Sequence, residues 1–110
     1  MTTVRFLRRG GRLYGFEAGG HTGYAPSGED IVCAAVSALT QTALLGLGEV
    51  LKVPVDWKVD EKTGALSAFV QESTDGTEVV LRTLEAGLMN IAEQYPDLVG
   101  IDYMQRREKP

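Results

Sequence analysis

The chain is poor in the residues that form disulfides, metal sites and redox centres. Its 110 residues include one cysteine, Cys33, and one histidine, His21. A single cysteine cannot form an internal disulfide or a C-x-x-C pair, so the fold does not depend on an oxidising compartment. A zinc site needs at least three protein ligands, and this composition disfavours one. We therefore expect no metal and no cofactor.

Positive charge and long apolar runs are scarce as well. Lysine and arginine together number 11 against 15 acidic residues, a net charge of −4. Binding to a nucleic acid depends on basic patches that displace counterions, so no nucleic-acid partner is expected. The longest apolar stretch, residues 31–39, is interrupted at Ser37 and is shorter than the roughly 18 residues of a membrane-spanning helix. The first residues lack the apolar region of a signal peptide. The sequence predicts a cytoplasmic protein without membrane contact.

The order of the predicted elements indicates a single α+β domain over residues 1–110. Two strands at 3–8 and 12–18 are separated by Gly10-Gly11, a pair typical of a hairpin turn. A glycine-rich loop over 19–29 then leads to a helix from Asp30 to about Leu51. An alternating strand follows, with Val55, Trp57 and Val59 on one face, and a returning strand covers 65–71. A second helix runs from Thr77 to about Tyr95, and a strand over 101–105 comes last. The order ββαββαβ predicts a mainly antiparallel sheet with two helices.

The first predicted helix is apolar on nearly all sides. A narrow polar stripe at i, i+4 spacing, formed by Cys33, Ser37 and Gln41, is the exception. Such a helix needs cover on more than one side, and a chain of this length has little else to supply. We therefore expect a homodimer.

Cys33 and His21 allow two interpretations. A cysteine in an apolar run is most often a buried, inert side chain, and a histidine among glycines is most often solvated. Against this, Cys33 lies on the polar stripe near a helix start, where free N–H groups stabilise a thiolate. The loop before it is long enough to bring His21 beside the helix. A cysteine peptidase needs a thiolate, a histidine and oxyanion donors, and the spacing alone does not decide between the two interpretations.

Two neighbouring polar residues are open to two interpretations in the same way. Asp30 could orient His21, or it could cap the helix together with Ser27. Ser37, one turn after Cys33, could contact a substrate or satisfy a main-chain carbonyl.

Two segments closely resemble the signature of the ribosomal-processing cysteine protease family, Prp. They are GHTGY at residues 20–24 and GEDIVCAAVS at residues 28–37. The family pattern has Gly-His near a glycine-rich loop, followed by Gly-x-Asp-Ile-Val-Cys-Ala-Ala-Val-Ser. Thr22 departs from it, because a smaller alanine or serine is expected at that position.

The resemblance implies a small dimeric α+β endopeptidase of bacteria. Members remove the N-terminal extension peptide from the precursor of the large-subunit ribosomal protein L-twenty-seven. By position, Cys33 would be the nucleophile and His21 the general acid/base, with Asp30 and Ser37 in supporting roles. The flexible loop with Gly19, Gly20, Gly23 and Gly28 would act as a lid that delivers His21.

Two alternatives do not require catalysis. The chain could be a dimeric ribosome-assembly or regulatory module that associates through the flank of the first helix formed by Val32, Val36 and Leu39. It could also carry Cys33 as a redox-sensing thiol.

Overall fold

The predicted α+β fold is confirmed. The computed structural model describes residues 1–20 and 29–105, with the backbone alone for residues 29 and 30. The described part of the chain contains five strands and two α-helices in the order ββαββαβ. The strands are β1 (Thr2–Arg9), β2 (Arg12–Gly19), β3 (Asp56–Val59), β4 (Leu66–Phe69) and β5 (Val99–Gln105); the helices are α1 (Glu29–Leu45), which continues into a π-helical turn (Gly46–Val50), and α2 (Asp75–Gln94).

The five strands form one mixed sheet in the order β3-β4-β2-β1-β5. Three of its four pairings are antiparallel, and β1 with β5 is parallel. Gly10 and Gly11 turn the first hairpin with φ of 59° and 80°, which glycine adopts without steric cost. Helix α2 connects β4 to β5 and carries the chain back to the end of the sheet where β1 begins. Strand β5 therefore runs parallel to β1, since parallel strands require such a crossover.

Both helices pack on one face of the sheet and form the core there. Phe6 and Phe16 from neighbouring strands are fully buried, and so are Leu47 after α1 and Leu88 of α2. Burying such side chains supplies most of the stabilisation of a small domain, about 1.5–3 kcal/mol each.

Helix α1 buries one side and exposes the other. Val32 and Val36 lie in the core of the same chain, 4% and 1% exposed, whereas Ile31 and Leu45 are 75% and 57% exposed. The flank that the non-catalytic alternative uses for association is therefore not available on the surface, and the outward side of α1 is the exposed apolar one.

The bounds of several elements differ from the predicted ones for local reasons. Helix α2 begins at Asp75, two residues early, because Thr74 caps it: the Thr77 N–H donates to Thr74 Oγ1 at 3.2 Å, and the Thr74 N–H donates to Thr77 Oγ1 at 2.8 Å. Strand β5 begins at Val99 and not at residue 101, since pairing with Thr2 of β1 starts there.

Among the described residues, Ile31–Val50 is long and apolar enough by composition to cross a membrane. Core helices of soluble proteins pass the same test. Here Val36 and Leu47 pack into the core beneath the helix, and spanning a bilayer would require both to leave the sheet.

Candidate active site

The Cys33 thiol lies where the first strand begins. Its Sγ is 3.3 Å from Oγ1 of Thr2, the first residue of β1. Cys33 is half-buried and Thr2 is 2% exposed. The contact places the thiol at one end of the sheet, beside the start of β5, because the Thr2 N–H donates to the Leu98 carbonyl at 2.8 Å. A half-buried thiol at this end of the sheet is accessible from one side.

Helix α1 begins at Glu29, one residue before the predicted start, so Cys33 lies one turn into it. The N–H groups of the first turn have no partner within the helix. Cα–Cβ bonds in a helix tilt toward its N-terminus, so the thiol is directed toward these groups. The Cα–Cβ bond of Cys33 thus tilts toward the positive end of the helix, although the effect of the dipole declines after the first turn.

After the end of β2, the chain passes next to the start of β1. Gly20 has φ of +93°, and a Cβ added there would lie 2.8 Å from the Met1 carbonyl oxygen. The residue that precedes His21 is thus held against Met1, next to the residue that contacts Cys33. The segment with His21 starts at the same end of the sheet as the thiol.

Of the other predicted site residues, the structure places some and not others. Gly19 ends β2, and Ser37 lies half-buried one turn after Cys33, where its carbonyl accepts a hydrogen bond from Thr40 Oγ1 at 3.2 Å. The backbone of Asp30 is in the first turn of α1. His21, Gly23, Gly28 and the side chain of Asp30 lie outside the described residues, so their roles and that of the lid stay predictions.

Thr2 is the residue that sequence reasoning missed. The predicted strand began at Thr3, and nothing in the local pattern distinguishes Thr2 from its neighbour. Only the packing of α1 on the sheet reveals that the Thr2 hydroxyl faces a thiol 31 positions away.

Three arginines next to the β1–β2 turn, at the end of β1 opposite to Cys33, make contacts within the chain. They contact aromatic rings and one carboxylate: Arg8 lies 4.5 Å from the ring centre of Tyr103, Arg9 lies 4.5 Å from that of Tyr14, and Arg12 is 2.8 Å from Asp75. This cluster joins the hairpin to its neighbours. In the part of the chain that the structure describes, no three His, Cys, Asp or Glu side chains form a group suited to a metal ion.

The titratable groups with shifted pKa values lie further along β5 and α2. Burial raises the pKa of Tyr103, and the hydrogen bond that its hydroxyl donates to Glu85 at 2.5 Å raises it further. Hydrogen bonds to Glu78 and Glu85 raise the pKa of Arg82. The Tyr103–Glu85 hydrogen bond attaches β5 to α2, and Arg82 attaches the hairpin to α2 by donating to the Gly11 carbonyl at 3.3 Å.

An apolar groove runs between the end of α1 and the edge strand β3. Leu45 and Trp57 line it, and its volume is about 260 Å³. Trp57 is 60% exposed. Trp57 is in register with Ala68 and Phe16, so it lies on the face of the sheet on which the helices pack, at an edge that the helices do not cover.

Comparison with known proteins gives a family model and several solved structures. The model described as cysteine protease Prp matches residues 1–100. SMU.848 from Streptococcus mutans is similar with a TM-score of 0.84 and 30% identity, and the match covers 96% of either chain. The essential ribosomal processing protease Prp from Staphylococcus aureus, in complex with a substrate peptide, gives a TM-score of 0.82 and 23% identity over 94% of this chain and 100% of that one. The search among curated proteins found no significant match.

Proposed function

The chain belongs to the cysteine protease Prp family, and we propose that it is an endopeptidase that removes the N-terminal extension from the precursor of the ribosomal protein L-twenty-seven in the cytoplasm. The family match over residues 1–100, which includes the motif around Cys33, carries the proposal. The accessible thiol at the start of a helix supports it. The complex of the Staphylococcus aureus protease with a substrate peptide supports a peptide substrate.

In this mechanism Cys33 is the nucleophile and His21 the general acid/base. The thiolate attacks the scissile carbonyl carbon, and free N–H groups at the start of α1 are the candidate donors to the resulting oxyanion. The imidazolium then protonates the leaving amine, and a thioester remains on Sγ. His21 next takes a proton from water, whose oxygen attacks the thioester carbon; the C–S bond breaks, and the thiolate is restored beside the imidazolium. Asp30 and Ser37 support this arrangement from the first and third turns of α1.

The test uses a peptide that spans the precursor junction. Wild type is expected to cleave it at one bond, and Cys33→Ala is expected to bind it without cleavage. Ser37→Ala, one turn away on the same side of α1, is the comparison variant and should retain part of the activity. Cleavage by Cys33→Ala at the wild-type rate would exclude Cys33 as the nucleophile. Intact function after alkylation of Cys33 would favour the non-catalytic module.

The homodimer belongs to the same proposal, and the exposed apolar face supports it. This face consists of Ile31 and Leu45 of α1 with Trp57 of β3, each more than half exposed. Leu45 and Trp57 line the same apolar groove, and exposed apolar patches mark interaction sites. Sedimentation is expected to show a dimer that Trp57→Lys converts to monomer. Met89→Lys, an exposed apolar position on α2, is the control and should remain dimeric; a monomeric wild type would contradict the assignment.

A further inference from the structure

We propose that a pocket on the sheet face opposite to the helices binds a peptide segment in which an apolar side chain lies next to a lysine or an arginine. The inference rests on the proposed function, because it makes the pocket a second contact for the peptide substrate, away from the cleaved bond. The pocket has a volume of about 430 Å³, within the usual range of ligand-binding sites. Strands β1, β2, β4 and β5 all contribute residues to it.

The pocket is on this face because side chains alternate along a strand. Leu7 follows Phe6 and Glu17 follows Phe16, and both phenylalanines are fully buried on the face that the helices cover. Leu7 and Glu17 therefore project from the other face, and so does Met104, which is in register with Leu7. Leu7 is nevertheless only 8% exposed. Since the helices pack on the opposite face, the side chains around the pocket supply this burial.

A bulge in β2 brings an aromatic ring to the pocket. The register of β1 and β2 shifts between Leu7 and Arg8, which leaves Tyr14 as an extra residue in the ladder. The next residue, Gly15, allows Phe69 to approach, because a Cβ at Gly15 would lie 2.5 Å from the Cβ of Phe69. The rings of Tyr14 and Phe69 meet edge to face, with their centres 6.5 Å apart. Together they form an aromatic side of the pocket.

Three polar side chains that line the pocket have no hydrogen-bond partner in the part of the chain that the structure describes. They are the hydroxyl groups of Tyr14 and Ser67 and the carboxylate of Glu17. Tyr14 is only 3% exposed, and a tyrosine so deeply buried normally has its hydroxyl bonded. These three groups are therefore available to a ligand that enters the pocket.

The pocket also carries a negative charge. Glu17 is the one charged residue among the described residues that line it. Two arginines nearby have other contacts: Arg5 lies 3.4 Å from Asp102, and Arg9 donates to the Gln71 carbonyl at 2.6 Å. The carboxylate of Glu17 thus lies beside apolar side chains without an ion pair to any of the described residues. Such an arrangement attracts a cation that is attached to an apolar group.

A peptide substrate can supply this chemistry. Leu7, Phe69 and Met104 surround its apolar side chain. Glu17 pairs with the adjacent lysine or arginine, and the Tyr14 hydroxyl donates to a peptide carbonyl. Proteins that bind RNA carry clusters of basic residues, so a ribosomal precursor is a source of such segments. The net charge of −4 on this chain favours the same partner.

The pocket is well separated from Cys33. Thr2, which contacts the thiol, and Leu7 are both on β1, roughly 17 Å apart along the strand. An extended peptide covers at most about 3.3–3.6 Å per residue. A substrate therefore reaches both sites only when about five or more residues separate its cleaved bond from the segment in the pocket. A short junction peptide reaches Cys33 alone.

Binding of two dipeptides to the full chain, followed by heteronuclear NMR, tests the pocket directly. Acetyl-Phe-Lys-amide and acetyl-Phe-Glu-amide have the same apolar group and opposite charges. We expect Phe-Lys to shift the amide signals of Gly15 and Ser67 and to bind about two- to fivefold more tightly than Phe-Glu. Glu17→Gln should abolish this preference. Asp56→Asn makes the same change of charge on the same face of the sheet, outside the pocket, and should preserve it.

Tyr14→Phe removes the hydroxyl and keeps the ring, so it should weaken Phe-Lys binding about two- to tenfold without changing the preference for Phe-Lys over Phe-Glu. With the full-length precursor as substrate, Tyr14→Phe and Glu17→Gln should raise KM by similar factors and leave kcat unchanged. Neither variant should affect cleavage of a short junction peptide, because that peptide does not reach the pocket.

Equal binding of both dipeptides to wild type would overturn the inference, and so would signal shifts confined to residues outside the pocket. An unchanged KM for the precursor in both variants would exclude the pocket as a contact for this substrate. The dipeptide titration needs no cleavage, so its outcome is independent of the proposed function. A chain that binds Phe-Lys in the pocket but cleaves neither substrate would contradict the peptidase and not the pocket.

Discussion

Gly20→Ala tests whether the start of β1 fixes the path of the chain toward His21. Gly20 has φ of +93°, where an L-residue is strained by about 1–2 kcal/mol. The new Cβ would also lie 2.8 Å from the Met1 carbonyl oxygen, a distance that Cβ atoms do not tolerate. Relief of such a contact with backbone typically requires shifts that cost about 1–3 kcal/mol. We therefore expect a total loss of about 2–5 kcal/mol in the free energy of unfolding, a large part of the stability of a small domain.

Gly11→Ala is a matched control for the strain alone. Gly11 has a similar φ of +80°, and a Cβ there would meet nothing within 4 Å. Gly11→Ala should therefore lower the free energy of unfolding by only about 1–2 kcal/mol. Urea unfolding followed by far-ultraviolet circular dichroism gives both values, and their difference isolates the contact with Met1. Because His21 follows Gly20 directly, Gly20→Ala should also cleave the precursor peptide more slowly under folding conditions, whereas Gly11→Ala should not.

Equal losses of stability in the two variants would refute this reasoning, since they would mean that the Met1 carbonyl moves away at no cost. A Gly20→Ala protein that is destabilised as expected, yet cleaves the peptide at the wild-type rate, would show that the exit from β2 does not determine the position of His21.

Further predictions concern the core and the contact between β5 and α2. Leu88→Ala removes a fully buried side chain and should lower the free energy of unfolding by about 2–5 kcal/mol in urea titrations; a loss below 1 kcal/mol, roughly, would contradict the packing of α2. The raised pKa of Tyr103 means that the folded state holds the phenolic proton more tightly than the unfolded state. This contribution is present below the ordinary value of 10.0 and is lost as the pH rises through the raised pKa. Wild type should therefore lose stability above pH 10.0 more steeply than Tyr103→Phe, and parallel curves would exclude the effect.

The order of the elements could be predicted because each signal is local. Gly10-Gly11 marked the first turn, and alternation or helical spacing marked the strands and helices. The bounds were less predictable. The start of α2 depends on the reciprocal hydrogen bonds of Thr74 and Thr77, whereas the predicted start at Thr77 had only the helical pattern to rely on.

The chemistry of the site also has a local and a non-local part. The motif around Cys33 lies within a few residues of chain, so the family could be inferred from the amino-acid sequence alone, and with it the proposal that Cys33 is the nucleophile. The partner of the thiol could not, because Thr2 is 31 residues away and approaches Sγ only after β1 pairs with β5 and α1 packs on the sheet. The same packing holds Gly20 against Met1. Contacts of this kind depend on strand register and on the direction of a helix across a sheet, and these are properties of the whole fold that no short segment contains.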